Sequence, residues 1–154
     1  MNRIRAAAAL TSAVAIAGVG VVTTASAQPT ASASRAHTVS VMSTNIGKIL
    51  YGPSGLPLYL FTHDKRNKDT CVTISSCTGV WPLLTTSGMP TAGPGVKPSL
   101  LGTIKVGHRT QVTYAGHPLY NYAQSNGSPG TGYVGTAEFG GAWDAVSPSG
   151  KAVR

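Results

Sequence analysis

The sequence predicts an all-β fold, a small sandwich or barrel-like domain built from two pseudo-symmetric repeats. Three observations predict it. Short β-prone segments recur at regular spacing, 19 Gly and 10 Pro punctuate them, and a Gly-x-Pro-Leu-Tyr-x-aromatic segment occurs twice. Short strands separated by turn residues are the pattern of antiparallel β architecture. Beyond the N-terminal segment, no run of a dozen residues combines a 3.6-residue period with freedom from Gly and Pro, so helix is the minor component.

The N-terminus reads as a secretory signal. Met1-Asn2-Arg3-Ile4-Arg5 is cationic, Ala6 to Val22 carries no charge, and Ala25-Ser26-Ala27 offers the small-x-small pattern of signal-peptide cleavage. The seventeen uncharged residues are rich in Ala and Gly, and fall short of the about 20 apolar residues that span a bilayer. The expected organisation is therefore a signal peptide at 1–27, a flexible leader of Ala, Ser, Thr and Pro at 28–37, and one β domain at 38–154. No Cys stands near the cleavage site to take a lipid anchor, so the expected destination is extracellular or wall-associated. No later segment has the length and apolarity of a membrane span.

Within the domain the expected strands are Thr38 to Met42, Gly47 to Tyr51, Pro57 to Thr62, Cys71 to Ile74, Gly79 to Leu84, Gly102 to Val106, Gln111 to Tyr114, Pro118 to Ala123 and Ala142 to Val146. Turn signals such as Gly52-Pro53-Ser54-Gly55, Ala115-Gly116 and Asn126-Gly127 separate them. Thr85 to Ser99 reads as a long loop dividing repeat one, about 46–84, from repeat two, about 102–146.

The repeat is carried by aromatic residues. Gly55-Leu56-Pro57-Leu58-Tyr59-Leu60-Phe61 aligns with Gly116-His117-Pro118-Leu119-Tyr120-Asn121-Tyr122, and Trp81 follows the first copy as Trp143 follows the second. Upstream, Tyr51 and Tyr114 each end a segment that turns back into the Pro-Leu-Tyr strand. Strand alternation puts Tyr59 and Phe61 on one face, with Leu58, Leu60 and Thr62 on the other. A continuous apolar run there means a strand covered on both sides. Tyr120 and Tyr122 share a face likewise, with Asn121 partly exposed. Trp81 and Trp143 are the large rings to pack on them, and Asp64 is placed to accept from a Tyr, a Trp or loop backbone.

Cys71 and Cys77 are the only cysteines. In an exported chain an even pair reads as a disulfide, and closing so small a ring is worth about 2 kcal/mol. Zinc sites and thiol oxidoreductases want other spacings.

These motifs resemble a family of bacterial secreted and lipoprotein repeats of unknown function, marked by Tyr-x-aromatic-x-x-Asp. Tyr59-Leu60-Phe61-Thr62-His63-Asp64 fits that motif in full, and Cys71, Cys77 and Trp81-Pro82-Leu83 are similar to its Cys…Cys…Trp-Pro-Pro segment. Tyr120 to Ser125 fits as a second copy in which Ser125 replaces the Asp. The resemblance implies a fold and an exported location, and no activity.

Chemistry is thinly signalled. Gly130-Thr131-Gly132-Tyr133-Val134-Gly135 has the letters of a dinucleotide fingerprint but neither the strand before it nor the helix after it, so it reads as a loop. No Gly-x-Ser-x-Gly elbow accompanies His63, His108 and His117. Asp64, Asp69, Glu138 and Asp144 are the only acids, a thin stock for a glycosidase pair. No cofactor is expected.

Three functional readings follow. The first is a non-enzymatic envelope or extracellular binding or structural module. The second is a metal- or redox-associated protein using His63, Asp64 and His117, with Met42 or Met89 as a soft ligand. The third is a hydrolase of envelope polymer. The net charge of +8 becomes +6 once Arg3 and Arg5 leave with the signal. Its only cluster, Lys65-Arg66-Asn67-Lys68, reads as a solvated loop. Scattered charge of this kind disfavours nucleic acid and leaves an anionic envelope component as the expected attraction.

Overall fold

The computed structural model describes residues 38–154; the expected signal peptide and leader lie outside them. The elements are β1 (Ser40–Thr44), β2 (Gly47–Tyr51), β3 (Tyr59–Phe61), a one-turn helix α1 (Cys77–Val80), β4 (Leu101–Val106), β5 (Arg109–Tyr114), β6 (His117–Pro118), β7 (Thr136–Glu138), β8 (Gly141–Val146) and β9 (Ala152–Val153). The described residues are nearly all β, in three antiparallel sheets. These are β1-β2, β4-β5-β6 and β3-β8-β7, with β9 also paired to β8. Among the described residues no helix is long and apolar enough to cross a membrane.

The two hairpins share a register. Thr44 faces Gly47 in the first and Val106 faces Arg109 in the second; 106 minus 44 and 109 minus 47 are both 62. Each closes over two residues, Asn45-Ile46 and Gly107-His108. In the second the positive φ that suits a tight hairpin falls on the first turn residue, Gly107 (58°), and in the first it falls on Gly47 (112°), just after the turn. The return strands correspond as well. Tyr51 stands opposite Pro57, and Thr113 opposite Pro118. Tyr51 ends β2 and Tyr114 ends β5, as expected, though Tyr51 faces Pro57 and Tyr114 faces His117. Tyr114 also serves a contact of its own. Its hydroxyl donates to the Pro148 carbonyl at 2.9 Å and accepts from the Lys97 N–H at 3.0 Å.

The central strands meet at a reciprocal contact. Tyr59 N–H donates to the Tyr120 carbonyl and Tyr120 N–H to the Tyr59 carbonyl, each at 3.0 Å. On their outer sides Tyr59 pairs with Ala145 and Tyr120 with Leu83. The resulting order across this ribbon is Leu83, Tyr120, Tyr59, Ala145.

Side-chain alternation sends neighbouring residues of these strands to different clusters. Leu58, Leu60, Leu84, Leu119 and Val146 enter a mainly aliphatic cluster with Val39, Leu50, Val112 and Tyr114, and Ala145 joins a third, smaller cluster with Ile49 and Tyr51. Tyr59, Phe61, Tyr120, Trp81 and Trp143 enter an aromatic cluster on the other face, together with the Cys71–Cys77 disulfide. The apolar run of β3 is accordingly buried on both sides.

Several expected strands have a different form. Cys71–Thr73 is a 3-10 turn and Cys77–Val80 is helical, with no strand at 71–74 and only the single bridge at Leu83 within 79–84. The short disulfide loop forces this. Its Cα atoms stand 5.4 Å apart, and the Asp69 carboxylate accepts the Val72 N–H at 3.0 Å, which satisfies the backbone inside the turn rather than in a ladder. Pro118 to Ala123 also departs from a regular strand, because β6 ends at Pro118 and only Tyr120 pairs beyond it. Strands β7 and β9 had no alternating pattern strong enough to announce them.

Candidate functional site

The aromatic cluster is the most organised constellation in the structure. Trp143 lies on β8 and Trp81 follows α1. Their rings stack at 4.2 Å with planes 2° apart. Phe61, opposite Trp143 in the sheet, stacks on its free face at 4.2 Å and 10°. Tyr122 covers the free face of Trp81 at 4.7 Å and 46°. Tyr133 continues the column beyond Tyr122 at 3.9 Å, and His63 stands 5.8 Å beyond Phe61 at the other end. Two rings brace the centre by their edges, Tyr59 against Trp81 at 5.0 Å and 71°, and Tyr120 against Trp143 at 5.1 Å and 89°. Offset stacks and edge contacts are the arrangements that ring quadrupoles favour.

The two indoles differ in their polar ends. Trp81 Nε1–H donates to Glu138 Oε2 at 3.0 Å. Trp143 Nε1 is buried with no partner among the described residues. A glycine seats the Phe61 end of the column. A Cβ on Gly141 would lie 2.7 Å from Phe61 Cε2 and 3.0 Å from the His63 backbone nitrogen. Gly79, 62 residues earlier, has open space around it and lies inside α1. Gly141→Ala is therefore expected to destabilise by about 1–3 kcal/mol through overpacking. Gly79→Ala is expected to stabilise by about 0.5–1 kcal/mol. Urea melts of the two variants check the pair, and equal effects would contradict this packing.

Beside the column, Asp64 ties the two halves of the chain together. Its Oδ2 accepts the Tyr120 hydroxyl at 2.7 Å. Its Oδ1 accepts both the Thr70 N–H and the Thr70 hydroxyl, each at 2.7 Å. Burial pushes the Asp64 carboxyl above its ordinary value; the three donors oppose that shift and the Asp69 carboxylate adds to it. The same surroundings push Tyr120 far upward, by burial first and then by the two carboxylates. Tyr59 is pushed up to about 12, mainly by burial. Ser125, which stands where an Asp would complete a second Tyr-x-aromatic-x-x-Asp motif, is buried.

The metal-type residues are placed apart in function. His63 Nδ1 lies 3.2 Å from the Gly140 carbonyl, while both oxygens of Asp64 are engaged as described. His117 stands near Arg66 and Asp64; burial and Arg66 push it down and Asp64 opposes them. Among the described residues no three His, Cys, Asp or Glu side chains gather as a metal cage. Met42 and Met89 are exposed. Glu138 is occupied by Trp81 and Asp144 by Arg154 at 3.0 Å, while Asp69 accepts from Val72 through Oδ1 and its buried Oδ2 has no partner among the described residues.

The basic loop is not purely solvated. Arg66 Nη1 donates to the Ala115 carbonyl at 3.1 Å and Asn67 N–H to the Gly116 carbonyl at 2.7 Å. The loop after β3 is thereby fastened to the β5–β6 turn.

Sequence reasoning missed Tyr133, Glu138 and Thr70. Tyr133 lay inside the segment dismissed as a nucleotide fingerprint; the signal available was an aromatic within a Gly-rich loop, where a packing ring is otherwise out of place. Glu138 gave no local signal.

No curated protein and no solved structure matches the chain. A family model described as a secreted repeat of unknown function matches residues 40–85. That span runs from β1 past Trp81, through one hairpin, one Tyr-x-Phe-x-x-Asp strand, the disulfide loop and one indole. In this unit the chain is similar to a secreted repeat of unknown function.

Proposed function

We propose that the protein is an exported, non-enzymatic β module, made of two copies of one unit and held by charge on an anionic polymer of the cell envelope. The duplication is supported by the common register at a shift of 62, the reciprocal Tyr59 and Tyr120 hydrogen bonds and the stacking of Trp81 on Trp143.

The observation that carries the binding reading is how charge is divided between inside and outside. Lys48, Lys65, Arg66, Lys68, Lys97, Lys105, Arg109, Lys151 and Arg154 are all exposed. Of the four acids only Glu138 is exposed; Asp69 and Asp144 are buried and Asp64 is half-buried. The acids serve internal contacts, so apart from Glu138 the fully exposed charged side chains of the described residues are all positive. Such a surface attracts polyanions without demanding a particular fold of ligand.

Binding to immobilised poly(glycerol phosphate), with neutral dextran as control, tests the reading. Retention is expected at about 0.01 M salt, where the Debye length is ~30 Å, and is expected to fall steeply by about 0.15 M, where it is ~8 Å. Equal retention on dextran, or none at low salt, would count against it.

A further inference from the structure

All six tyrosines of the chain lie in the described residues. Tyr51, Tyr59, Tyr114 and Tyr120 are buried, leaving Tyr122 and Tyr133, both half-buried, as the two phenol rings that reach solvent. These two are also in contact, with ring centroids 3.9 Å apart and planes inclined by 38°. Neither ring stands on a free tether. Trp81 covers the other side of Tyr122, and the Tyr133 carbonyl accepts the Thr136 hydroxyl at 2.7 Å, which fixes the backbone that carries its ring.

We propose that Tyr122 and Tyr133 are an oxidative modification site, at which an extracellular oxidant of the haem-peroxidase class closes one dityrosine within the chain. Each phenol gives up one electron and its hydroxyl proton. One molecule of hydrogen peroxide takes the two electrons and two protons and leaves as two waters. The two phenoxyl radicals then join by a carbon–carbon bond between positions ortho to their oxygens. Each ring hydrogen displaced by the new bond moves to the oxygen of its own ring, restoring two phenols.

Coupling of radicals on separate chains needs a bimolecular encounter, whereas held neighbours react at a very high effective concentration. Placement therefore selects this pair. The product would join the loop after β6 to the segment before β7, and would fix the open end of the ring column.

The test treats the purified full chain with a haem peroxidase and hydrogen peroxide. Blue dityrosine fluorescence is expected in the monomer, with a proteolytic peptide pair containing Tyr122 and Tyr133 that is lighter by two hydrogens. Y133F and Y122F are each expected to lose this signal, while Y51F keeps it. Near-UV circular dichroism of the variants verifies that the indole stack persists. Dityrosine that forms chiefly between chains, that survives in Y133F with the fold intact, or that fails to form would overturn the proposal.

Discussion

Trp143→Ala is expected to lower stability by about 3–5 kcal/mol, the range for deleting a large aromatic from a packed interior. The indole is fully buried and touches Trp81, Phe61 and Tyr120 at once, so no neighbour can collapse into the space without leaving another contact. Against a typical total of about 5–15 kcal/mol, this loss removes a large part of the margin. Urea titration measures it, and the far-ultraviolet couplet from the stacked indoles should vanish in the same variant. Trp143→Phe should cost less, because it keeps a ring and removes an indole N–H that has no acceptor among the described residues. If Trp143→Ala proves as mild as a surface substitution, within about 0.5 kcal/mol, the column is not what holds the fold.

Asp64→Ala is the second large effect. It strips an acceptor from the Tyr120 hydroxyl and the Thr70 N–H, and a buried donor left without a partner costs about 1–3 kcal/mol. Adding Tyr120→Phe should recover part of that loss, which a double-mutant cycle reads directly.

The pH dependence has a definite sign. Burial raises the Asp64 carboxyl above 3.8, so the folded chain holds this proton more tightly than the unfolded one. Its contribution is fully present below the unfolded value and is lost as pH rises through the raised one. Stability should therefore slope downward from about pH 4 through the weakly acidic range, and Asp64→Ala should flatten that slope. A slope unchanged in the variant would assign the titration to another group.

Much of the architecture was legible because it depends on local chemistry. Ala115-Gly116 marked the turn between β5 and β6, and the run Leu58-Tyr59-Leu60-Phe61 announced a strand covered on both faces, as β3 is. The indole that follows each Pro-Leu-Tyr segment could be matched by spacing alone. What stayed hidden depends on contacts distant in sequence. Cys71 to Ile74 has strand-prone residues, yet a six-residue separation between bonded cysteines bends the chain into a turn whatever its propensity. Glu138 meets Trp81 across 57 residues, and nothing near either one marks the other. Tyr133 was masked by its glycines, whose freedom suggested a loop and hid a ring that completes the column.

On the duplication proposed above, the reciprocal bonding of Tyr59 and Tyr120 has an evolutionary corollary. A strand that pairs antiparallel with its own counterpart is self-complementary, and that is the geometry of an isologous interface between identical subunits. A single unit would then carry the backbone groups needed to pair this strand with a second molecule of itself.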